Sequence, residues 1–330
     1  MSYKSINALM RHLRTDCGIN INGSTQKRQL INTGYYHGYK GYRFFKTTSN
    51  RLPFTSYNEL YATIQYDLEL KSLIYGKIIY IETAVKNIAL ECILKNINSE
   101  SIQDMYDKAI NSYNNAPITI SSRERKKFQQ NKLNLQKNIQ HILASAYKKN
   151  NPKIAHYYNN IGYSDVPLWS LFEILMMGDF GFLLSCLKFD IREDISIKLN
   201  LNLSCDTDRE LIFKYIYTLK DLRNAIAHNS VVFDARFCNT KITNAMKQCL
   251  ILDIGLPYIN FKTIGDYIIL MCYYMKNLKV PKKEITSFIR KFEKLTDEYR
   301  GKVNSSVENI VIHPDLNTRI NILKNAKLKK

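Results

Sequence analysis

Three residues suited to acid–base and phosphate chemistry lie close together in the segment TLKDLRNAIAHNSVVF, residues 218–233. They are Arg223, Asn224 and His228. Histidine is the side chain that gives or takes a proton near neutral pH. An arginine guanidinium binds a phosphate through two parallel hydrogen bonds and stabilises the negative charge that develops during its reaction. Asn224, one helical turn before His228, is placed to orient the imidazole or to hold a phosphate oxygen.

This set of side chains suits the cleavage of RNA. The neighbouring 2′-hydroxyl of RNA supplies the nucleophile, so the reaction requires neither a metal ion nor a nucleophile from the protein. The sequence contains no carboxylate cluster and no Cys or His spacing typical of a metal nuclease. We therefore predict three catalytic residues, no metal site and no cofactor. The alternative is that an Arg and a His five positions apart occur here by chance, as the polar side of a core helix.

The residues around this motif predict a helix over 206–229, with Asp206 or Ser204 as its N-cap. Its core-facing stripe, at helical spacing, consists of Ile212, Tyr215, Leu219, Leu222 and Ile226. A second stripe opposite consists of Lys214, Tyr217, Asp221, Asn224 and His228. Lys214, Tyr217 and Asp221 are weaker candidates for RNA contacts. Arg223 and His228 lie about 140° apart on one helix, so a second element or a second copy is needed to bring both to one ligand.

The segment NTGYYHGYKGYRFFK, residues 32–46, alternates aromatic residues and glycines with basic residues. Such a segment offers a stacking surface for RNA bases, with Tyr36, Lys40 and Arg43 as candidate contacts. The alternative is a β-ribbon or turn region whose tyrosine rings cover the neighbouring helices. His37 has no suitably spaced partner for a metal site.

The composition is that of a basic, folded chain. The net charge of +19 predicts a polyanionic partner, although an AT-rich genome also enriches a protein in lysine. Hydrophobic residues make up 45% of the 330 residues, enough for a sizeable core. No apolar run is long enough to span a bilayer and no secretory leader is visible. Seven cysteines without a C-x-x-C pair fit a reducing compartment, so we expect a cytoplasmic protein without a membrane partner.

Helical spacing of apolar residues dominates the chain, and the predicted fold class is all-α. A capping box at Ser56 and Glu59 begins one very long helix, or two joined near Gly76, whose inward-facing apolar residues are predicted to be Leu60, Ile64, Leu68, Ile74, Ile78, Ile81, Val85 and Ile88. The apolar stretch 166–187 is expected to be buried on nearly every side, with Met176 and Met177 in the core. The predicted regions are an N-terminal helix and Tyr/Gly-rich segment (1–52), a helical domain (53–235) with a polar, basic, exposed helical insertion (about 99–165), further helices (236–300) and a loosely attached basic tail (301–330).

Four blocks of sequence, in order over residues 18–235, resemble the Abi family of phage abortive-infection proteins, the AbiD/AbiF group. LRNAIAHNS resembles the R-N-x-x-x-H signature of HEPN ribonucleases. The segment ending in NTGYYHGYKGYRFF, the long helix from FTSYNELY and the segment VPLWSLFEILMMGDFGFLL resemble the other blocks. This chain departs from the family pattern in having Lys71 and Lys86 where Arg is frequent, and Asn229 where a second His is frequent.

The resemblance implies a HEPN-type helical bundle with metal-independent endoribonuclease activity. It implies a homodimer in which Arg223 and His228 of both copies form one composite site. It also implies a toxin of phage defence, and some related systems are held in check by a small antitoxin RNA. Two alternatives remain: a non-catalytic RNA-binding or sensor protein that uses Arg223 only to bind phosphate, and a helical interaction protein in which the stripe from Lys214 to His228 is merely solvated.

Overall fold

The protein is all-α, as predicted. The structure is a computed structural model that describes residues 5–117, 119–160 and 165–328, and no β-strand occurs among them. Two π-helical segments, Gly34–Lys40 and Met105–Ala109, accompany the α-helices. The α-helices within the described residues are α1 (Ile6–Thr15), α2 (Gly23–Thr33), α3 (Tyr57–Ile97), α4 (Ile102–Asp104), α5 (Ser122–Lys148), α6 (Pro152–Asn159), α7 (Leu168–Ile174), α8 (Met177–Cys186), α9 (Phe189–Lys198), α10 (Leu211–Ala227), α11 (Asn244–Ile254), α12 (Ile264–Asn277), α13 (Lys282–Arg300), α14 (Ser305–Val311) and α15 (Leu316–Leu328).

The helices form two compact units. The first unit comprises Met1–Ile79, Asp221–Asn239 and Leu250–Lys330. The second unit comprises Tyr80–Lys220 and Thr240–Cys249. None of the helices in the described part of the chain is both long and apolar enough to cross a membrane.

Helix α3 is a single uninterrupted helix of 41 residues, and Gly76 does not break it. It begins at the predicted capping box, in which the Glu59 carboxylate accepts hydrogen bonds from the amides of Thr55 (2.8 Å) and Ser56 (3.0 Å). Most of the apolar residues in its predicted register are buried, but Leu68 is 40% exposed. The apolar pattern therefore predicts the helix correctly, but its prediction that Leu68 faces the core is wrong.

The Tyr/Gly-rich segment of the first unit is mostly helical, so the β-ribbon considered as an alternative does not form. After α2 the chain continues into the π-helix Gly34–Lys40. A side chain at Gly38 would place its Cβ 2.9 Å from the hydroxyl oxygen of Thr33, so this tight turn requires a glycine. Tyr39 and Tyr42 are buried, as expected of rings that cover neighbouring helices, whereas Tyr36 is 69% exposed.

The C-terminal part of the first unit is well packed. Helix α12 is buried along almost its whole length, and α13 and α15 pack against it. The segment after Gly301, predicted to be loosely attached, forms α14 and α15. Arg319 on α15 is 1% exposed and pairs with the buried Asp266. A buried charge requires such a partner, so the pair ties α15 to α12.

The basic insertion in the second unit is more amphipathic than its sequence indicates. Helix α5 begins with a complete capping box at Ser121 and Glu124 and runs for 27 residues. It buries Leu135, Ile139 and Leu143 and packs against α6, α7 and α8. The insertion therefore packs against the rest of the second unit through one apolar stripe of α5. His141 on α5 and His156 on α6 are exposed.

The apolar stretch 166–187 is not buried on every side, because it forms two short helices rather than one. Leu175 and Met176, between α7 and α8, have extended backbones with ψ of 128° and 155°. Met177 is 1% exposed and lies in the core as predicted, but Met176 is 69% exposed. Trp169 on α7 is also exposed, at 44%. The break changes the helical register, so the prediction for Met176 is wrong.

Candidate active site

Helix α10 begins at Leu211 rather than at the predicted residue 206, so neither predicted N-cap directly precedes it, but Asp206 still holds its first residues. Its carboxylate accepts hydrogen bonds from the amides of Glu210 (2.8 Å) and Leu211 (3.0 Å), the second being the first residue of the helix. Asp206 is fully buried, and this burial raises the pKa of its carboxyl to about 6. Ser204, the other candidate, donates its hydroxyl hydrogen to Asn202 instead.

The end of helix α10 is a Schellman motif that places His228 just outside the helix. The amide of Ser230 donates to the carbonyl of Ala225 (2.8 Å), and that of Asn229 donates to Ile226 (3.1 Å). Asn229 has the left-handed conformation, with φ of 52°, that this motif requires after the last helical residues. The helix predicted to reach residue 229 thus ends at Ala227. His228 is the C-cap residue and its side chain is exposed.

The three predicted catalytic residues share this end of α10 in the first unit. Arg223 and Asn224 are half-buried, and the guanidinium Nη1 of Arg223 donates to Oδ1 of Asn224 over 3.3 Å. The amide of His228 donates to the carbonyl of Asn224 over 3.0 Å, which fixes the backbone of His228 one turn beyond that of Asn224. One end of α10 therefore carries a guanidinium that is hydrogen-bonded to Asn224 and an imidazole that is accessible to solvent.

Asn229 joins the helix end to two other elements of the first unit. Its Oδ1 accepts a hydrogen bond from Nζ of Lys71 on α3 over 2.9 Å. Its Nδ2 lies 3.3 Å from Nε2 of His37, in the π-helix of the Tyr/Gly-rich segment. Two of the three positions at which the sequence departs from the pattern that it resembles, Lys71 and Asn229, are therefore in direct contact with each other.

His37 is the residue of this site that the sequence analysis missed. We considered it only as a metal ligand, since no periodicity connects it with a helix 192 residues further along the chain. The structure places its exposed ring beside Asn229, the immediate neighbour of His228. The clustering of a histidine among tyrosines and glycines was the only signal that could have indicated it.

Asp67 on α3 holds the chain that follows Asn229. Its fully buried carboxylate accepts hydrogen bonds from the amides of Val232 (2.7 Å) and Phe233 (2.8 Å) and from the hydroxyl of Tyr42 (2.7 Å). It also pairs with Lys71 over 2.8 Å. Burial and the adjacent Asp67 charge raise the pKa of Tyr42, so its hydroxyl remains a proton donor.

A second buried carboxylate, that of Asp234, attaches the Tyr/Gly-rich segment to the same stretch of chain. It accepts a hydrogen bond from the amide of Lys46 (2.6 Å) and pairs with Arg236 (2.6 Å). The guanidinium of Arg236 also donates to the carbonyls of Gly41 (2.9 Å) and Phe44 (2.7 Å). These contacts fix the segment that carries His37 relative to the end of α10.

The three weaker RNA-contact candidates on α10 are each engaged in contacts with other residues of the protein. Asp221, in the first unit, is 5% exposed and its carboxylate accepts a hydrogen bond from the amide of Asn239 over 2.9 Å. In the second unit, Lys214 pairs with Glu210 over 2.7 Å. Tyr217, also in the second unit, packs so closely on α8 that a Cβ at Gly181 would lie 3.0 Å from its ring. The alternative in which this stripe is merely solvated therefore does not hold for Tyr217 and Asp221, because other segments pack against them.

The candidates in the Tyr/Gly-rich segment are more accessible. Tyr36 is exposed, and the ammonium group of Lys40 lies 4.7 Å from the centre of its ring. Arg43 lies over the buried ring of Tyr39 at 5.6 Å. A cation above an exposed ring matches the combination that binds bases and phosphates together, so Tyr36 and Lys40 remain candidate RNA contacts.

Metal-ligand groups are not part of this site. In residues 5–117, 119–160 and 165–328, no group of three His, Cys, Asp or Glu side chains is placed to hold a metal ion.

The left-handed residue at the end of α10 leads to a stability prediction. Asn229→Gly and Asn229→Ala both remove the contacts to Lys71 and His37, but only glycine adopts a positive φ without strain. We expect the alanine variant to be less stable than the glycine variant by about 1 kcal/mol in urea unfolding. The same pair at Asn138, exposed within α5, is the control. At Asn138 the alanine variant should be more stable than the glycine variant by about 1 kcal/mol. The same order of stability at both positions would contradict the left-handed conformation of Asn229.

Comparison with known proteins places the chain in a family. The sequence pattern of the Abi-like protein family matches residues 28–234, which include the Tyr/Gly-rich segment, α3 and α10. No curated protein and no solved structure matches the chain. The matched range covers more than half of the 330 residues. The chain therefore belongs to the Abi-like protein family.

Proposed function

We propose that this protein is a HEPN-type endoribonuclease of the AbiD/AbiF group that acts as a toxin in abortive infection, the phage defence in which an infected cell stops growing. Membership of the Abi-like family supports the role in abortive infection. The observation that carries the enzymatic proposal is the end of α10, where the exposed His228 stands one turn beyond Arg223 and Asn224.

The proposed reaction is a transesterification within the RNA strand. A bond forms between the 2′-oxygen and phosphorus, and the bond from phosphorus to the 5′-oxygen of the next nucleotide breaks. One imidazole accepts the proton of the 2′-hydroxyl and a second donates a proton to the leaving 5′-oxygen. The guanidinium of Arg223 binds the non-bridging oxygens and stabilises their added charge, with Asn224 holding the guanidinium in place. The products are a 2′,3′-cyclic phosphate and a 5′-hydroxyl end.

The need for two imidazoles supports a homodimer. Each chain carries one Arg-Asn…His motif, and a two-fold interface makes each motif face its own image. In this composite site the second His228 completes the acid–base pair.

The charge of the chain supports RNA partners. Its net charge of +19 and the exposed Tyr36–Lys40 pair suit an RNA substrate and a small regulatory or antitoxin RNA. The same features favour the second candidate function, a non-catalytic RNA-binding or sensor protein. Cleavage assays separate the two candidates.

The first prediction from the proposed function is a loss of activity when either proposed catalytic side chain is replaced. His228→Ala and Arg223→Lys should each lower RNA cleavage by about a hundredfold or more, since the first removes a proton-transfer group and the second the two-pronged phosphate contact. Both variants should abolish growth arrest on induction. His141→Ala changes another exposed histidine, on α5, and should keep full activity. The melting temperature of His228→Ala should stay near that of the wild type, and its unfolding would instead give His228 a structural role.

The chemistry of the cut is the second prediction. Cleavage should survive an excess of EDTA, because the proposed residues supply both the proton transfers and the charge stabilisation. A substrate with a 2′-deoxy sugar at the cut position should resist, since it lacks the nucleophile. Sequencing and mass analysis of the new ends should show cyclic phosphate and 5′-hydroxyl termini. Equal cutting of DNA, or complete loss of activity on chelation, would rule this mechanism out.

The composite site is the third prediction, and mixed dimers test it. Dimers of one wild-type chain and one differently tagged His228→Ala chain should be nearly inactive, because each loses one of the two required imidazoles. Dimers with a His141→Ala chain control for the tagging and should be fully active. Half activity in the His228→Ala mixture would instead mean that each chain works alone, with His37, which contacts the neighbouring Asn229, as a candidate for the second imidazole.

A further inference from the structure

A hollow of about 610 Å³ opens in the second unit between α3, α6 and α7. Its lining includes Asn87 of α3, Lys153 and Tyr157 of α6, and Trp169 and Ser170 of α7. This volume is in the range of small-molecule sites. The hollow contains none of the predicted catalytic residues, and it accounts for the exposure of the tryptophan in the segment VPLWSLFE.

Two aromatic rings form a corner in this hollow. Trp169, the single tryptophan of the chain, is 44% exposed. Its ring centre lies 5.8 Å from that of Tyr157 at an interplanar angle of 77°. Because the rings are nearly perpendicular, a flat ligand ring can stack on one while its edge meets the other. An accessible indole face is the kind of platform on which unstacked nucleic-acid bases bind.

Two polar side chains complement the rings. Ser170 is 1% exposed, and its hydroxyl has no hydrogen-bond partner within the described part of the protein. Buried hydroxyls are normally paired, so a ligand that supplies a partner gains from this one. Asn87 is exposed on α3, and its side-chain amide offers both a donor and an acceptor. The edge of a nucleobase carries the same combination of donors and acceptors.

The rim of the hollow supplies a positive charge. Nζ of Lys153 pairs with Glu173 over 2.5 Å, but both side chains are about half exposed, at 53% and 54%. An ion pair this accessible to water is weak, so Lys153 can exchange its partner for a phosphate. Lys86, which also lines the hollow, is engaged by Glu82 and by the carbonyl of Leu175.

From these contacts we infer that the hollow binds a single unstacked nucleobase, with its phosphate at Lys153. We assign the base to a single-stranded RNA, so the inference rests on the proposed RNA substrate and adds a second point of contact to it. Trp169 and Tyr157 hold the plane of the base, while Ser170 and Asn87 read its edge. Free mononucleotides share this chemistry, and the experiment distinguishes them from a strand.

Trp169 reports directly on the site, because its fluorescence can be excited apart from that of the tyrosines. The His228→Ala chain is titrated with a short single-stranded oligoribonucleotide, so that binding is measured without cleavage. We expect quenching that saturates. The same oligonucleotide with abasic sites, or annealed to its complement, should quench at least tenfold less effectively. Mononucleotides should also bind at least tenfold more weakly, and equal or tighter binding of mononucleotides would overturn the assignment to an RNA strand.

Variants test the individual contacts through the anisotropy of a labelled oligonucleotide. Asn87→Ala and Trp169→Ala should each weaken binding about tenfold or more, and Ser170→Val about as much. Asn321→Ala, an exposed helical asparagine in the first unit, is the matched control and should bind as the parent does. Asn87 is exposed, so its loss should not affect folding. Unchanged affinity of Asn87→Ala together with absent quenching would overturn the inference.

Failure of this inference is distinguishable from failure of the proposed enzyme. If wild-type protein cuts RNA but Trp169 does not respond to the strand, the hollow is not a base site and the ribonuclease proposal stands. If the strand quenches Trp169 but wild-type protein leaves RNA intact, the base site stands and the ribonuclease proposal fails.

Discussion

The carboxylate of Asp67 is the interaction on which the candidate active site depends. It is fully buried and receives hydrogen bonds from Tyr42 and from the amides of Val232 and Phe233, besides the ion pair with Lys71. A buried charge is tolerated only when its hydrogen-bonding capacity is filled in this way. One side chain thus joins the Tyr/Gly-rich segment, helix α3 and the chain after α10. Removing it would leave two amides and the hydroxyl of Tyr42 without this acceptor, and Lys71 without its counter-ion.

Asn229 extends this interaction to the helix end. Its left-handed backbone closes the Schellman motif, while its amide group reaches Lys71 on one side and His37 on the other. Asparagine tolerates this conformation better than most residues with a side chain. Lys71 and Asn229, two of the three positions at which the sequence departs from the pattern that it resembles, are therefore parts of one contact. Lysine at position 71 reaches both the Asp67 carboxylate and the Asn229 side-chain amide oxygen.

Local patterns in the sequence predict the helices of this fold well, but they predict less well which residues the helices contact and bury. The capping box at Ser56 and Glu59 depends only on neighbouring residues, and the structure reproduces it. The apolar register likewise predicts α3 and α10, with ends that differ from the structure by up to about five residues. Asp221 was predicted to be accessible on a helical wheel, but a contact from Asn239 covers it. His37 was missed for the same reason, because its position depends on contacts between distant segments that no spacing encodes.

The segment from Val231 to Ala235 has neither helical nor strand hydrogen bonding, yet every one of its residues is buried. Surface loops usually absorb insertions and deletions without harm, because water satisfies their backbone groups. Here the amides of Val232 and Phe233 must reach one fixed carboxylate, so the number of residues after His228 is itself constrained. A one-residue insertion would move either His228 or the buried phenylalanine out of place. In this protein the length of a loop, as much as the identity of its residues, fixes the position of the imidazole.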